Sequence, residues 1–329
     1  MLPDRYTVGN VKRALNNPKL LVEELGRLPF TAHAMVQNGY ASLNGYGEGD
    51  AVMLMEEDWD NLVVIDACRA DLFEETIDTS RYDGYRRVVS IDSNTTPWSI
   101  KNFKGKELGD TVFVTGNPAT SKTVPDDFHE FVEVWTDPDA HDANSYTVPP
   151  DPVCAATREA VEEYPDKRIV VHLVQPHAPF VPRPDLVYRT YWSEADRVGV
   201  DVGEPDTDPP NNVWEALELG MVDREDVWEG YRENLEYVME HVHDLLPDLP
   251  GKTVVTSDHG NMLGERTVSG RRVYGHPGGI RTRALVEVPW AVVQHGERKT
   301  IRDGGVHSEG SMESEIIDQR LAALGYVDE

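Results

Sequence analysis

Cysteine is almost missing: Cys68 and Cys154 are the only two among 329 residues, far apart and outside any Cys-x-x-Cys spacing. Their scarcity argues against a disulfide scaffold and against a zinc-thiolate site. Cys68, at the end of an apolar run, reads as a small buried residue. Basic residues are scarce as well, with 31 Lys and Arg against 59 Asp and Glu and a formal charge of −28 spread along the chain. A field of that sign repels a phosphate backbone, so nucleic acid is not an expected partner. Long apolar runs are lacking too. No stretch approaches the about 20 residues that a transmembrane helix needs. The start Met1-Leu-Pro-Asp-Arg5 lacks the basic-then-apolar plan of a secretory signal, which sets the expectation of a cytoplasmic protein. Internal repeats and low-complexity stretches are also missing.

What is present is an apolar fraction of 39%, enough for a large α/β core. Short β-rich apolar runs at residues 62–65, 111–115, 169–174, 253–256 and 290–293 read as buried strands, and their near-continuous apolar character predicts a mainly parallel sheet. Val227, Tyr231, Leu235, Val238, Val242 and Leu245 recur at spacings of three and four, which predicts one apolar stripe on a long helix covering the sheet. Residues 11–26 have weak helical amphipathicity broken by Pro18. Residues 1–50 are accordingly expected to be a helical arm that packs on the core or on a partner, with peripheral membrane association as the alternative, for which its basic face is thin, ahead of a catalytic domain over 51–329. The Asp-, Pro- and Gly-rich run at 199–212 lacks periodicity and is expected to form a loop or insertion, either near the substrate entrance or as a passive surface loop.

Three motifs carry chemistry. Asp66-Ala-Cys-Arg-Ala-Asp71 follows the run at 62–65, so Asp66 would emerge at the carboxyl end of the sheet, where open α/β sheets bind ligands, and offer a hard carboxylate to a cation. A strand-end Asp is also a common helix cap. Asn94-Thr-Thr-Pro-Trp-Ser99 places a hydroxyl at a Pro-primed helix start, where backbone N–H groups and the positive dipole end would surround a phosphoryl oxyanion; alone, the same pattern is an N-cap. Thr256-Ser-Asp-His-Gly260 again follows an apolar strand. It can aim the Asp258 carboxylate and the His259 imidazole at one or two metal ions, with Gly260 letting the backbone turn.

Together these motifs resemble the alkaline phosphatase superfamily in its sulfatase-like branch. Tyr231-Arg-Glu-Asn-Leu on the long helix leads to Thr253-Val-Val-Thr-Ser-Asp-His-Gly260 in the order and spacing of that branch. Gln175-Pro-His-Ala-Pro179 is similar to its Pro-His-x-Pro, and Gly275-His-Pro-Gly-Gly279 with Val288-Pro-Trp290 resembles its late His block and Val-Pro strand entry. The resemblance covers residues 61–293. It implies an α/β/α sandwich with a mainly parallel central sheet and a divalent metal held by Asp66, Thr95, Asp258, His259 and His276. It further implies Thr95 as nucleophile, forming a phospho-threonine intermediate. His177 and His276 would steady the phosphoryl group or supply a second metal, and Asn117 would contact the phosphoryl group. Thr95 is preferred to Thr96 because Thr95-Thr-Pro97 matches the spacing of nucleophile, any residue, Pro, and Gly105 stands where the following helix closes. Asp66-Ala-Cys-Arg69 is also similar to the Asp-Gly-Phe-Arg of nucleotide phosphodiesterases, with Arg69 read as structural. His172, inside an apolar run, reads as a satisfied core residue.

The departures from the branch decide the chemistry. Formylglycine sulfatases need a convertible Cys or Ser followed by Pro and Arg; Thr95-Thr-Pro-Trp-Ser99 has neither. The double Asp of calcium-type sulfatases is absent because Ala67 follows Asp66, and a His in the ligand pair favours zinc or manganese over calcium. One or two ions remain open, as does homo-oligomerisation. The expected activity is therefore hydrolysis of a small-molecule, lipid or glycan phosphoester. Its alternatives are a phosphotransferase for lipid or glycan head groups, a sulfate ester hydrolase, and a catalytically silent glycan-associated module.

Dispersed acidic residues with few Lys resemble proteins of salt-loving microbes, in which salt screens carboxylate repulsion. Melting temperature should therefore rise across a series from dilute to molar salt. Equal values at both ends would remove that explanation of the charge.

Overall fold

The computed structural model describes residues 18–145, 147–188 and 210–306, with backbone alone for 18–28. Most of the run at 199–212, up to residue 209, and residues 11–17 of the N-terminal stretch lie outside the described residues. The helices are α1 (Pro18–Leu43), α2 (Ala70–Thr76), α3 (Thr95–Phe103), α4 (Pro118–Ser121), α5 (Pro150–Glu163), α6 (Val213–Glu218), α7 (Arg224–Leu245) and α8 (Arg283–Val286). The strands are β1 (Asn61–Asp66), β2 (Gly84–Val89), β3 (Leu108–Thr115), β4 (Phe128–Glu133), β5 (Arg168–Pro176), β6 (Gly251–Thr256), β7 (Met262–Arg266), β8 (Arg272–Gly275) and β9 (Glu287–His295).

Seven strands form one sheet in the order β2-β9-β6-β1-β5-β3-β4, and β7 and β8 form a separate hairpin. β1 pairs in parallel with β5 and β6, and β3 with β5 and β4. β9 alone runs antiparallel to its neighbours β6 and β2. The expected α/β architecture with a mainly parallel central sheet is what the chain adopts. All five apolar runs lie in strands, namely β1, β3, β5, β6 and β9. The two sheet edges, β2 and β4, carry no such run, because an edge strand keeps part of its surface in water: Arg86 and Arg87 of β2 are exposed.

Every residue of β1 is buried, and the pleat sends alternate side chains to opposite faces. Val63 and Ile65 join Val171, Leu173 and Val255 in a core closed by α5 and α7. Leu62 and Val64 join Val170 and Val254 in a second core closed by Trp98 and Phe103 of α3. Helices thus cover both faces of the sheet, which is why its central strands read as continuous apolar runs. The predicted stripe on α7 is buried throughout, from Val227 to Leu245.

α7 does more than cover the sheet. Tyr231 donates its hydroxyl proton to the Ala67 carbonyl, and Asn234 Nδ2 donates to the carbonyls of Pro176 and His177, each at 3.1 Å. One helix therefore fastens the loops that leave β1 and β5. Among the described residues no helix is long and apolar enough to cross a membrane.

Candidate active site

Parallel strands bring their carboxyl ends to one edge of the sheet, and the motif residues gather there. Asp66 is the last residue of β1, where the register with β5 shifts. Ala67 next to it has φ 59°, a left-handed conformation that costs a side-chain-bearing residue energy unless its surroundings hold it. Here they do: Ala67 N–H donates to Asp258 Oδ1 at 2.9 Å, Tyr231 donates to its carbonyl, and Cys68 N–H donates to Ser257 Oγ at 2.8 Å. The loops after β1 and β6 are thereby stitched together.

Asp258 and His259 follow β6. His259 N–H donates to Asp258 Oδ1 at 2.8 Å, and Ser257 Oγ donates to the His259 carbonyl at 2.7 Å. His259 Nδ1 lies 3.0 Å from the Gly260 carbonyl; a carbonyl can only accept, so the ring proton sits on Nδ1 and the Nε2 lone pair faces inward. Gly260 has a different cause from the one expected. It is not in a left-handed turn; a Cβ there would lie 2.2 Å from the Ala284 carbonyl oxygen and 2.8 Å from Arg69 Cγ, so close approach of backbone demands glycine.

Thr95 is the first residue of α3 and is buried. Its hydroxyl donates to Asp258 Oδ2 at 2.6 Å and lies 3.2 Å from His259 Nε2. The amide groups expected around it are largely committed or missing. Thr96 N–H is capped by Asn94 Oδ1 at 3.2 Å, and Pro97 has none. The helix start supplies its dipole end more than free donors. Asn94 uses its other amide atom on His276: Nδ2 donates to Nδ1 at 3.2 Å. That leaves the His276 proton on Nε2, 2.8 Å from His177 Nε2, and His177 in turn donates Nδ1–H to the Ala178 carbonyl. The His276 ring stacks on His259 with centroids 4.5 Å apart, so the imidazole pair borders the Thr95 hydroxyl.

Asn117 sits after β3 and caps α4, accepting Ala119 N–H at 2.8 Å. Its amide donates to Asp66 Oδ2. His172 was read from sequence as a satisfied core residue, and half of it is: Nδ1 meets Thr120 Oγ1 at 3.1 Å. Its fully buried Nε2 has no hydrogen-bond partner and stands 3.7 Å from Asp66 Oδ2. The missed signal is positional, since in parallel register His172 lies beside Val64, two residues before Asp66.

These residues fit a divalent cation. Asp66, His172 and Asp258 each offer a ligand atom within 4.8 Å of the others, all buried. Two buried carboxylates so close repel each other without a cation between them, and a buried ring nitrogen without a hydrogen-bond partner is available as a donor. His259 Nε2 lies 3.4 Å from Asp258 Oδ2 and 3.8 Å from Asp66 Oδ1. Burial pushes the Asp258 carboxyl up, but the His259 and His172 rings, the Ala67 N–H and the Thr95 hydroxyl together hold it below the usual range. Burial drives His172 and His177 down to about 4 and His276 well below its ordinary value. All three rings are thus kept neutral, the form that leaves one ring nitrogen able to accept a hydrogen bond or bind a metal.

A second layer fixes the loops. Buried Arg281 donates to the carbonyls of Ser90 at 2.6 Å, Ile91 at 2.7 Å, Tyr46 at 3.1 Å and Gly47 at 3.2 Å. α1 grips its backbone from both sides: Asn38 Oδ1 accepts Arg281 N–H and Gln37 Nε2 donates to the Arg281 carbonyl, both at 2.9 Å. Ser90 Oγ donates to the Asp258 carbonyl, and Ser93 Oγ donates to that of Pro277 at 3.0 Å. The strand of chain leading to Thr95 is thereby tied to the Asp258 and His276 loops. Arg69, paired with Asp71 at 2.6 Å and Glu265 at 2.7 Å, has the structural place expected of it.

No protein-family model matches the chain, and no curated protein matches it. Several solved structures are similar to it. One is the integral membrane lipooligosaccharide phosphoethanolamine transferase A of Neisseria meningitidis, 16% identical over 71% of this chain and 47% of that one, with a TM-score of 0.46. This chain thus spans about half the length of that protein. Another is the phosphonate monoester hydrolase of Agrobacterium radiobacter, 13% identical over 73% of this chain and 70% of that one, with a TM-score of 0.42. A third is an alkaline phosphatase superfamily protein of Vibrio parahaemolyticus, 9% identical over 74% of this chain and 61% of that one, with a TM-score of 0.37.

Two outcomes are expected. The folded protein keeps His172 and His177 neutral down to about 4 against an ordinary value of 6.5, so between those values the unfolded chain binds more protons and stability falls as pH drops. Thermal melts of chelator-treated protein should decline from pH 7 to pH about 4.5; a flat profile would contradict the buried neutral rings. Gly260→Ala should cost about 2 kcal/mol or more through its clash with the Ala284 carbonyl, measured as a lower urea midpoint.

Proposed function

We propose that the chain is a metal-dependent phosphoester hydrolase in which Thr95 is the nucleophile. The observation that carries this is the buried Thr95 hydroxyl at the start of α3, donating to Asp258 Oδ2 at 2.6 Å with His259 Nε2 at 3.2 Å. A threonine hydroxyl is a poor nucleophile by itself and needs a group that takes its proton. Asp258 Oδ2 already accepts that hydrogen bond. Asp66, Asp258 and His259 would hold a divalent ion, with His172 as a further donor and zinc or manganese suited to mixed carboxylate and imidazole ligands. Such an ion supplies Lewis-acid polarisation and favours the deprotonated form of an oxygen it touches.

In this scheme the Thr95 proton passes to Asp258 as Oγ bonds to phosphorus, and the bond from phosphorus to the ester oxygen breaks, that oxygen leaving as the alkoxide or aryloxide and taking a proton from water. His276 Nε2–H is engaged by His177 Nε2 at 2.8 Å, and exchange of that partner for a phosphoryl oxygen would let it donate to the phosphoryl group. Asn117 acts through Asp66, because its amide is spent on that carboxylate. Water then attacks the phospho-threonine and releases phosphate or a phosphomonoester. Sulfuryl chemistry by the formylglycine route has no starting residue, since threonine cannot be oxidised to that aldehyde.

Turnover of aryl phosphomonoesters and phosphodiesters with added zinc or manganese tests the proposal. Thr95→Ala should lower kcat by on the order of a thousandfold while Thr96→Ala retains activity. Asp258→Ala and His259→Ala should lose bound metal with far-ultraviolet circular dichroism unchanged. Full activity in Thr95→Ala, or an aryl sulfate as the better substrate, would overturn it. Phosphorylated alcohol in place of free phosphate, when an acceptor is added, would identify a transferase acting through the same residues.

A further inference from the structure

The β7–β8 hairpin carries charge that the chemistry at Thr95 does not use. Residues 259–286 contain five arginines and one carboxylate, Glu265, in a chain where acidic residues outnumber basic ones by 59 to 31. Glu265 is already taken, paired with Arg69 at 2.7 Å and Arg224 at 3.4 Å. Arg266 and Arg272 are register partners across the hairpin, so their side chains leave the same face. Like charges directly opposite on antiparallel strands weaken the pair. Both guanidinium groups are exposed and bond carbonyls of the hairpin itself, Gly270 and Gly264, each at 2.6 Å. Arg271 is exposed beside them, over the Phe30 ring. Among the described residues none of the three is paired with a carboxylate, although carboxylates abound elsewhere on the surface.

Apolar surface adjoins this charge. Val268 in the hairpin turn is 45% exposed. α1 lies against the turn: Gln37 Oε1 accepts Val268 N–H at 3.0 Å, and His33 Nδ1 meets Ser269 Oγ at 2.6 Å. Three residues on from His33 and Gln37 come Val36 and Tyr40, and then Leu43, a stripe at spacings of four and three exposed by 59%, 46% and 87%. Single exposed apolar residues need no explanation, but a stripe beside unpaired arginines is the composition of an interfacial anchor.

We propose that the hairpin arginines and the α1 stripe dock the protein on an anionic lipid surface. A soluble phosphate would need convergent donors in a recess, whereas these groups are spread over an exposed face with apolar side chains among them, which suits a headgroup layer over acyl chains. The charge of −28 does not forbid this, because carboxylates more than about 10 Å from the surface are screened at ordinary salt. β8 ends at Gly275, and the next residue is His276, so the docking face is one strand away from the imidazoles of the site. Docking is independent of the reaction at Thr95 and is tested separately from it.

The test is co-sedimentation of the full chain with vesicles of phosphatidylcholine alone and with about 30% phosphatidylglycerol. Binding is expected to the anionic vesicles only and should weaken with salt. The triple variant Arg266→Gln, Arg271→Gln, Arg272→Gln should lower the partition coefficient about a hundredfold. Val36→Ser with Leu43→Ser, which leaves the hairpin intact, should lower it about tenfold. Aryl phosphate turnover in solution should be unchanged in both, and this also shows that the variants are folded. Failure to bind anionic vesicles, equal binding by both variants, displacement by millimolar inorganic phosphate, or capture on heparin without vesicle binding would each overturn the proposal.

Discussion

Two buried carboxylates at the ends of parallel strands set the terms for this structure. Asp66 ends β1 and Asp258 follows β6, neighbouring strands whose parallel pairing brings both to one edge, where each offers an oxygen within 4.8 Å of the other and of His172. Such a pair is costly in a low-dielectric interior unless every lone pair is used. The surroundings engage several of them: Asn117 on Asp66 Oδ2, and the Ala67 N–H, the His259 N–H and the Thr95 hydroxyl on Asp258. The polar network and the fit to a cation are two aspects of one constraint.

That constraint explains features that would otherwise be liabilities. Ala67 holds a left-handed backbone because its N–H and its carbonyl are both engaged, by Asp258 and by Tyr231. Gly260 is glycine because the Ala284 carbonyl occupies the place of a side chain. Arg281 is buried against backbone carbonyls of the segments that lead to Thr95 and flank α1. Each stores some local cost in exchange for holding loops from distant parts of the chain at fixed separation, the condition a preorganised site needs.

Much of the site was legible in sequence because its residues sit in motifs bound to a local signal, an apolar strand followed by Asp. Asp66, Asp258 and His259 were readable that way, and Thr95 by its spacing to Pro97. His177 and His276 were readable as residues beside prolines, but not as partners, since the contact between their Nε2 atoms joins segments 99 residues apart. His172 escaped because an imidazole in an apolar run looks the same whether its second nitrogen is satisfied or not. Asn117 was visible as a polar residue after a strand, yet its bond to Asp66 rather than to a ligand depends on the order β1-β5-β3 in the sheet.

By itself the sequence determined the buried strands, through continuous apolar runs that only a sheet covered on both faces can accommodate, and the long helix, through its stripe. It also determined the chemistry available at position 95, where a threonine stands and no aldehyde precursor does. Tertiary structure alone decided the edge strands, the neutral histidine pair, the carbonyl cage around Arg281 and the placement of α1 against the β7–β8 hairpin. The physical reason is one of range: periodicity and composition report how a residue faces its immediate neighbours, whereas these features arise from contacts between segments that meet only once the sheet is assembled.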